Sequence, residues 1–302
     1  MKFFLLTLPF LLTACQTKTI PETLAVAHAG GGIDGKRYTN SLEAMNHNYN
    51  KGFRLFELDL SWTSDGHLIC LHDWDKTPKW LLNYHKEEPL TLNEFSSLEK
   101  PLKLTPCDIE RINSWLKSHP EAYIITDIKG NNFKGLELMM DNIENAADKI
   151  IPQFTQALHY EKIKDSGFNK LIWTLYSFKG NNQDLVNHIK YMDLYAITMP
   201  PDRAKTDLAH LLNELKIPSY VHTINDKIEA MDYIKLLALH LSIQTSSSRQ
   251  SIESTTHETF SHFARHITAS CFSSVADLHV FFCGCSYKSG GRTFNDNAHI
   301  KL

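Results

Sequence analysis

The chain has 302 residues, 42% of them hydrophobic and 22% charged, and its formal net charge is −3. These values describe a globular protein with room for one barrel-sized domain or two smaller ones, and they exclude the strongly basic character of a nucleic-acid binder. An anionic substrate has to be met by charge gathered in one place.

Residues 1–15 combine Lys2, the apolar run Phe3 to Leu12 and the small Ala14 before Cys15. The run is too short to span a bilayer, so the stretch reads as a cleavable export signal. Leu12-Thr13-Ala14-Cys15 resembles a bacterial lipobox, which implies acylation of Cys15, residues 16–23 as a tether, and anchoring to a bacterial membrane on its periplasmic or outer-membrane side. The plainer alternative is an ordinary signal with an incidental cysteine. No later stretch reaches the run of about 20 apolar residues that a spanning helix needs.

From Leu24 onward short apolar runs alternate with stretches of helical period. Strands are expected at Leu24 to His28, Leu55 to Leu60, Tyr123 to Lys129, Ile150 to Phe154, Leu171 to Tyr176, Tyr195 to Met199 and Ser219 to Thr223. Helices are expected at Ser41 to Lys51, Asp108 to Lys117, Asp184 to Met192 and Asp207 to Leu215. Repeated strand-then-helix order argues for a parallel sheet covered by helices, and seven such strands point to a (β/α)8 barrel over residues 24–237. In a parallel barrel the working groups collect at the C-terminal strand ends. His28 ends the first strand, Glu57 and Asp59 the second, Asp127 and Lys129 the third and His222 the seventh. Gln153 and Thr198 hold equivalent places on the fourth and sixth.

The stretch Arg54 to Asp73 carries most of the signal. Side chains of a strand return to one face every second residue, so Glu57 and Asp59 point one way while Phe56, Leu58 and Leu60 point the other. Ser64-Asp65-Gly66 is turn chemistry, and Leu68 to Leu71 should fold back as a hairpin arm that brings His72 towards the carboxylates. Paired carboxylates on an apolar strand need a compensating cation or donors, and hard divalent cations suit them best. The plain alternative is an edge strand with its acidic face in water.

Six cysteines are present, which leaves five beside Cys15. Cys70 and Cys107 read as small buried apolar residues rather than a bridge. Cys283 and Cys285 have neither disulfide nor zinc-site spacing, and the cysteines show no metal cluster. From residue 238 to 302 the pattern changes: 18 of 65 residues are Ser or Thr and 9 are charged. An eighth repeat is expected to be divergent or missing, and Leu278 to Cys283 is the one strongly apolar run. A shift of reading frame near Leu237 to His240 is the sharper explanation, a divergent repeat with a surface tail the plainer one. Either way the tail should be poorly packed and the barrel open or weakly closed between its first and seventh strands.

His28-Ala29-Gly30-Gly31, Thr39-Asn40-Ser41-Leu42-Glu43-Ala44, the Glu57-x-Asp59 pair, the following turn and His72-Asp73 occur in an order that resembles the glycerophosphodiester phosphodiesterase family. The resemblance covers about residues 24–237 and implies a TIM barrel with an insertion at about 74–105 beside the site. It implies that Glu57, Asp59 and Asp127 hold a divalent cation, Ca or Mg, with Asp127 where the family usually has Glu. It implies that His28 and His72 act as general acid and base, and that Lys129 faces the phosphate of a small phosphodiester. His222 lines the pocket or packs. Ala29 stands where the family has Arg and Thr39 where it has Glu, so Arg37, Lys129 or the N–H groups of Gly30 to Gly32 would have to compensate. The implied activity is hydrolysis of glycerophosphodiesters to glycerol 3-phosphate and an alcohol. The alternatives are a phospholipase of C or D type on intact lipids, and a catalytically inactive surface lipoprotein.

Overall fold

The computed structural model describes residues 25–224, 232–233 and 278–282. The expected leader, Cys15, the tether and most of the atypical tail lie outside the described residues. Among the described residues nine strands form one sheet: β1 Ala25–Ala27, β2 Leu55–Trp62, β3 Leu68–Cys70, β4 Tyr123–Ile128, β5 Ile150–Phe154, β6 Ile172–Thr174, β7 Ala196–Met199, β8 Ser219–Ile224 and β9 Leu278–Phe282. Seven of them, β1, β2 and β4 to β8, run parallel in sequence order, each paired to the next. The eighth parallel repeat is incomplete. In its place β9 lies antiparallel to both β8 and β1, with Val280 opposite Val221 on one side and Ala25 on the other. The expected opening between the first and seventh parallel strands is therefore bridged by a reversed strand from the tail's one apolar run.

Helices cover the outside: α1 Leu42–Asn50, α2 Thr77–Leu81, α3 Leu92–Ser97, α4 Ile109–Ser118, α5 Asn132–Asn142, α6 Ala146–Lys149, α7 Tyr160–Asp165, α8 Asn182–Ile189, α9 Pro201–Ala204 and α10 Leu208–Glu214. Their starts follow cap chemistry, with side chains of Ser41, Asp108, Asn131 and Asn181 accepting from the first-turn N–H groups. Outward-facing strand residues such as Phe56, Leu58, Ile124 and Trp173 pack with Met45, Trp115, Leu136 and Leu185 of these helices. A separate cluster, Ile69, Leu71, Leu81, Leu82, Phe95 and Leu104, seats the insertion that contains α2 and α3.

Two expectations need correction. Glu57 and Asp59 do not end their strand, because β2 runs on to Trp62 and pairs with β3 as a hairpin, Leu60 opposite Cys70 and Trp62 opposite Leu68. Its pairing with β1 stops at Phe56, which leaves the carboxylates beside the mouth of the barrel all the same. Cys70 and Cys107 are not separate buried thiols but a disulfide, 37 residues apart, with Cα atoms at 4.9 Å. The Cys70 N–H donates to Cys107 O at 2.7 Å, so the backbone already pairs the two segments that the sulfurs join.

Candidate active site

The barrel lumen is built in layers, as expected when inward side chains of neighbouring strands meet at equal height. Its apolar floor is Val26, Leu55, Ile125, Ile151, Ile172, Ala196 and Tyr220, one from each parallel strand. Two residues further along stand His28, Glu57, Asp127, Gln153, Thr174, Thr198 and His222. The two-residue strand period thus converts seven apolar positions into a polar ring above them. The ring bonds within itself: Thr174 Oγ1 donates to Gln153 Oε1 at 2.9 Å, and Thr198 Oγ1 lies 2.5 Å from His222 Nδ1.

His28 follows β1 in a tight turn where Ala29, Gly30 and Gly31 all take positive φ. Gly31 is required there, because a Cβ would run into the Asn48 carboxamide, which donates to the carbonyls of Gly30 and Gly32. The turn aims the Ala29 N–H at Glu57 Oε2, 2.9 Å away, and sets His28 Nε2 3.9 Å from the same oxygen. Ala29 is wholly buried in this turn, and its N–H is spent on Glu57. His28, Glu57 and Asp59 each offer a ligand atom within 4.8 Å of the others, and all three are buried. Asp127 stands beside Asp59 in register, but Lys129 Nζ bridges the two carboxyls, 2.7 Å from Asp127 and 3.0 Å from Asp59. Three carboxyls beside one ammonium make an oxygen-rich donor set of the kind that hard divalent cations take.

Burial, reinforced by Asp59 and Asp127, pushes the Glu57 carboxyl well above the usual range in spite of the Ala29 N–H. Burial also lowers the pKa of His28, against the pull of Asp59, and favours a neutral imidazole. Burial works against the Lys129 ammonium, but Asp59 and Asp127 outweigh it and raise its pKa. His222, buried and facing His28, is pushed down to about 3.

His72 reaches the site from the hairpin. Its Nδ1 lies 2.9 Å from Asp73 Oδ2. Partial burial opposes ionisation of Asp73, yet bonds from the Lys76 and Thr77 N–H groups, His72 and Thr77 Oγ1 hold its carboxyl well below the usual range. Tyr38 stands between the two histidines, its ring edge-on to both, with centroids 4.8 Å from His28 and 5.8 Å from His72. Arg37 lines an open cleft on the outer side of His72. Tyr176 lies over His222 at 4.0 Å between centroids, and burial with nearby Glu57 and Asp127 raises its pKa to about 12.

The residues that pattern reasoning passed over reach the site across loops. Asn40 clamps Asp59 twice: its Nδ2 donates to Asp59 Oδ2 at 3.1 Å, and its Oδ1 accepts from the Asp59 N–H at 3.0 Å. Thr39 beside it is buried and bonds Ser41 Oγ rather than the cluster. In the sequence Asn40 stood out only as part of the Thr39-Asn40-Ser41 motif at the start of α1, with no role at the site attached to it.

Residues 31–174 match the model of the glycerophosphoryl diester phosphodiesterase family. No curated protein sequence matches the chain. Among solved structures, the glycerophosphodiester phosphodiesterase of Thermotoga maritima aligns with a TM-score of 0.55 at 18% identity, over 74% of this chain and 98% of that one. That of Parabacteroides distasonis gives 0.56 at 16%, over 74% and 97%. An Oleispira antarctica phosphodiesterase, solved with the product sn-glycerol-3-phosphate, gives 0.54 at 13%, over 70% and 88%. At these identities the likeness speaks for the shared barrel, while the matched segment contains Glu57, Asp59, His72, Asp127 and Lys129. On that match residues 31–174 carry a domain of the glycerophosphoryl diester phosphodiesterase family, a family of phosphoric diester hydrolases.

Proposed function

We propose that the chain hydrolyses glycerophosphodiesters to glycerol 3-phosphate and an alcohol, with Glu57, Asp59 and Asp127 as ligands for one divalent cation, Ca or Mg. The observation that carries this reading is the convergence of buried Glu57 and Asp59, with Asp127 in register beside Asp59, on His28, which faces His72 across Tyr38. When bound, the cation would neutralise phosphate charge and lower a hydroxyl pKa. His28, kept neutral by burial, is suited to take the proton of the attacking glycerol hydroxyl. His72, oriented by the ionised Asp73, is suited to give a proton to the leaving alcohol oxygen as its bond to phosphorus breaks. The glycerol hydroxyl oxygen bonds to phosphorus as the alcohol leaves, which closes a cyclic phosphate, and water then adds to that phosphorus and reopens the ring with the two histidines exchanging roles. Lys129 holds positive charge against the substrate's phosphate, and His222, neutral at the wall, bounds the pocket without adding charge. The family match supports this reading over one on intact lipids.

An exported, lipid-anchored form through Cys15 remains part of the proposal. The Cys70–Cys107 disulfide supports export, since such bonds persist in oxidising compartments. None of the described residues belongs to a helix long and apolar enough to cross a membrane.

Release of glycerol 3-phosphate from glycerophosphocholine tests the activity. We expect chelation to abolish it, Ca or Mg to restore it, and His28→Ala and His72→Ala each to lower turnover at least about a hundredfold with the fold intact by circular dichroism. A variant that keeps near-native turnover removes that histidine from the chemistry.

A further inference from the structure

Outside His72 a cleft of about 550 Å³ opens between the loop after β1 and the start of the insertion. Lys36 and Arg37 line it from one side and Lys76 and Trp80 from the other. Its one acidic residue, Asp73, is already engaged: Oδ2 meets His72 and Thr77 Oγ1, and Oδ1 accepts from the N–H groups of Lys76 and Thr77. Lys79 on α2 is drawn away by Asp75 and Glu87 and adds nothing to the cleft. The lining is cationic in balance, three positively charged side chains against the one carboxylate, beside the exposed indole of Trp80.

We propose that this cleft receives the leaving alcohol, and that the preferred alcohol carries a second anionic group, a phosphomonoester or carboxylate. The proposal rests on the hydrolytic reading above. His72 lines the cleft, so an alcohol whose oxygen takes a proton from His72 has this space to extend into. Arg37 offers a planar fork that matches phosphate or carboxylate oxygens, and the two lysines add point charge. Trp80 provides an apolar wall for a polyol or sugar ring. A quaternary ammonium would find attraction at the faces of Trp80 and Tyr38 but repulsion from three cations around them. The cleft therefore selects against choline-type alcohols.

The test compares kcat/KM for glycerophosphoinositol phosphate and glycerophosphocholine, using the full chain and Lys36→Gln/Lys76→Gln, at low and high ionic strength. We expect the anionic diester to be favoured at least about tenfold at low salt, and the ratio to fall towards one in the variant and at high salt, where exposed charges are screened. A wild-type ratio at or below one, or a ratio that the substitutions leave unchanged, overturns the proposal while leaving the hydrolytic reading standing. Hydrolysis of neither diester sinks the hydrolytic reading instead. Calorimetric binding of the same two diesters then decides the cleft: salt-sensitive binding of the anionic one that weakens in the variant supports it, and equal binding overturns it.

Discussion

Asp59 is almost fully buried, and what makes its charge tolerable is its set of partners. Lys129 supplies the opposite charge, and Asn40 supplies a donor to one carboxylate oxygen while fixing the Asp59 backbone. Removing Asn40 leaves the carboxylate one donor short and free to turn. Outer-sphere partners of this kind commonly carry about 10–100-fold in metal affinity or activity. We expect Asn40→Ala to weaken Ca or Mg binding by that factor, read by calorimetry, with a matching fall in kcat/KM. Unchanged affinity would show that Lys129 alone positions Asp59. The strand-borne members of the site were legible because alternation does the work: Glu57 must follow Leu55, and Asp127 must follow Ile125, on the lumen face. Asn40 and Tyr38 were not, because their backbones sit at positive φ in a loop, where no period predicts the direction of a side chain.

The hairpin β2–β3 shows the same contrast among whole segments. Its turn, its second arm and the delivery of His72 follow from local chemistry, and so do the expected helices that became α1, α4, α8 and α10. The partner of that arm does not follow. Cys107 arrives at β3 across the whole insertion, and Asp108 pairs with Ile69 beside it. A link between residues so far apart leaves no periodic trace, which is why two cysteines of apolar surroundings read as separate. The bond closes a loop whose freedom in the unfolded chain costs about 3–4 kcal/mol on the chain-entropy account. Cys107 Sγ also lies 3.8 Å from the Asn40 carbonyl oxygen, so the bridge abuts the loop that clamps Asp59. We expect Cys70→Ser/Cys107→Ser to unfold at clearly lower urea concentration than the oxidised wild type, and reductant to bring the wild type to the same midpoint. Coincident midpoints under oxidising conditions would mean that the pairing contributes no stability.

Closure of the ring is the property that no single repeat determines. Seven parallel strands specify most of a barrel, and the change of composition after residue 237 correctly signals that the eighth parallel repeat is incomplete. The composition says nothing of direction, and the strand in the gap runs antiparallel, which a βα repeat never does. Without β9 the facing edges of β1 and β8 would each carry a row of unpaired N–H and C=O groups beside the apolar floor, a template for association with another chain. Val280 is the point to probe, since its backbone stands in register with both Ala25 and Val221. A proline there removes an N–H and places a ring where a neighbouring strand must approach. For a domain of this size each kcal/mol lost lowers the melting temperature by roughly 2–4 °C. We expect Val280→Pro to melt at least about 4 °C below the wild type and to scatter light on heating at concentrations where the wild type stays clear, while Glu57, Asp59 and their partners keep their positions. Melting at the wild-type temperature without added scattering would show that the barrel's stability does not depend on the reversed strand, and that seven parallel strands suffice.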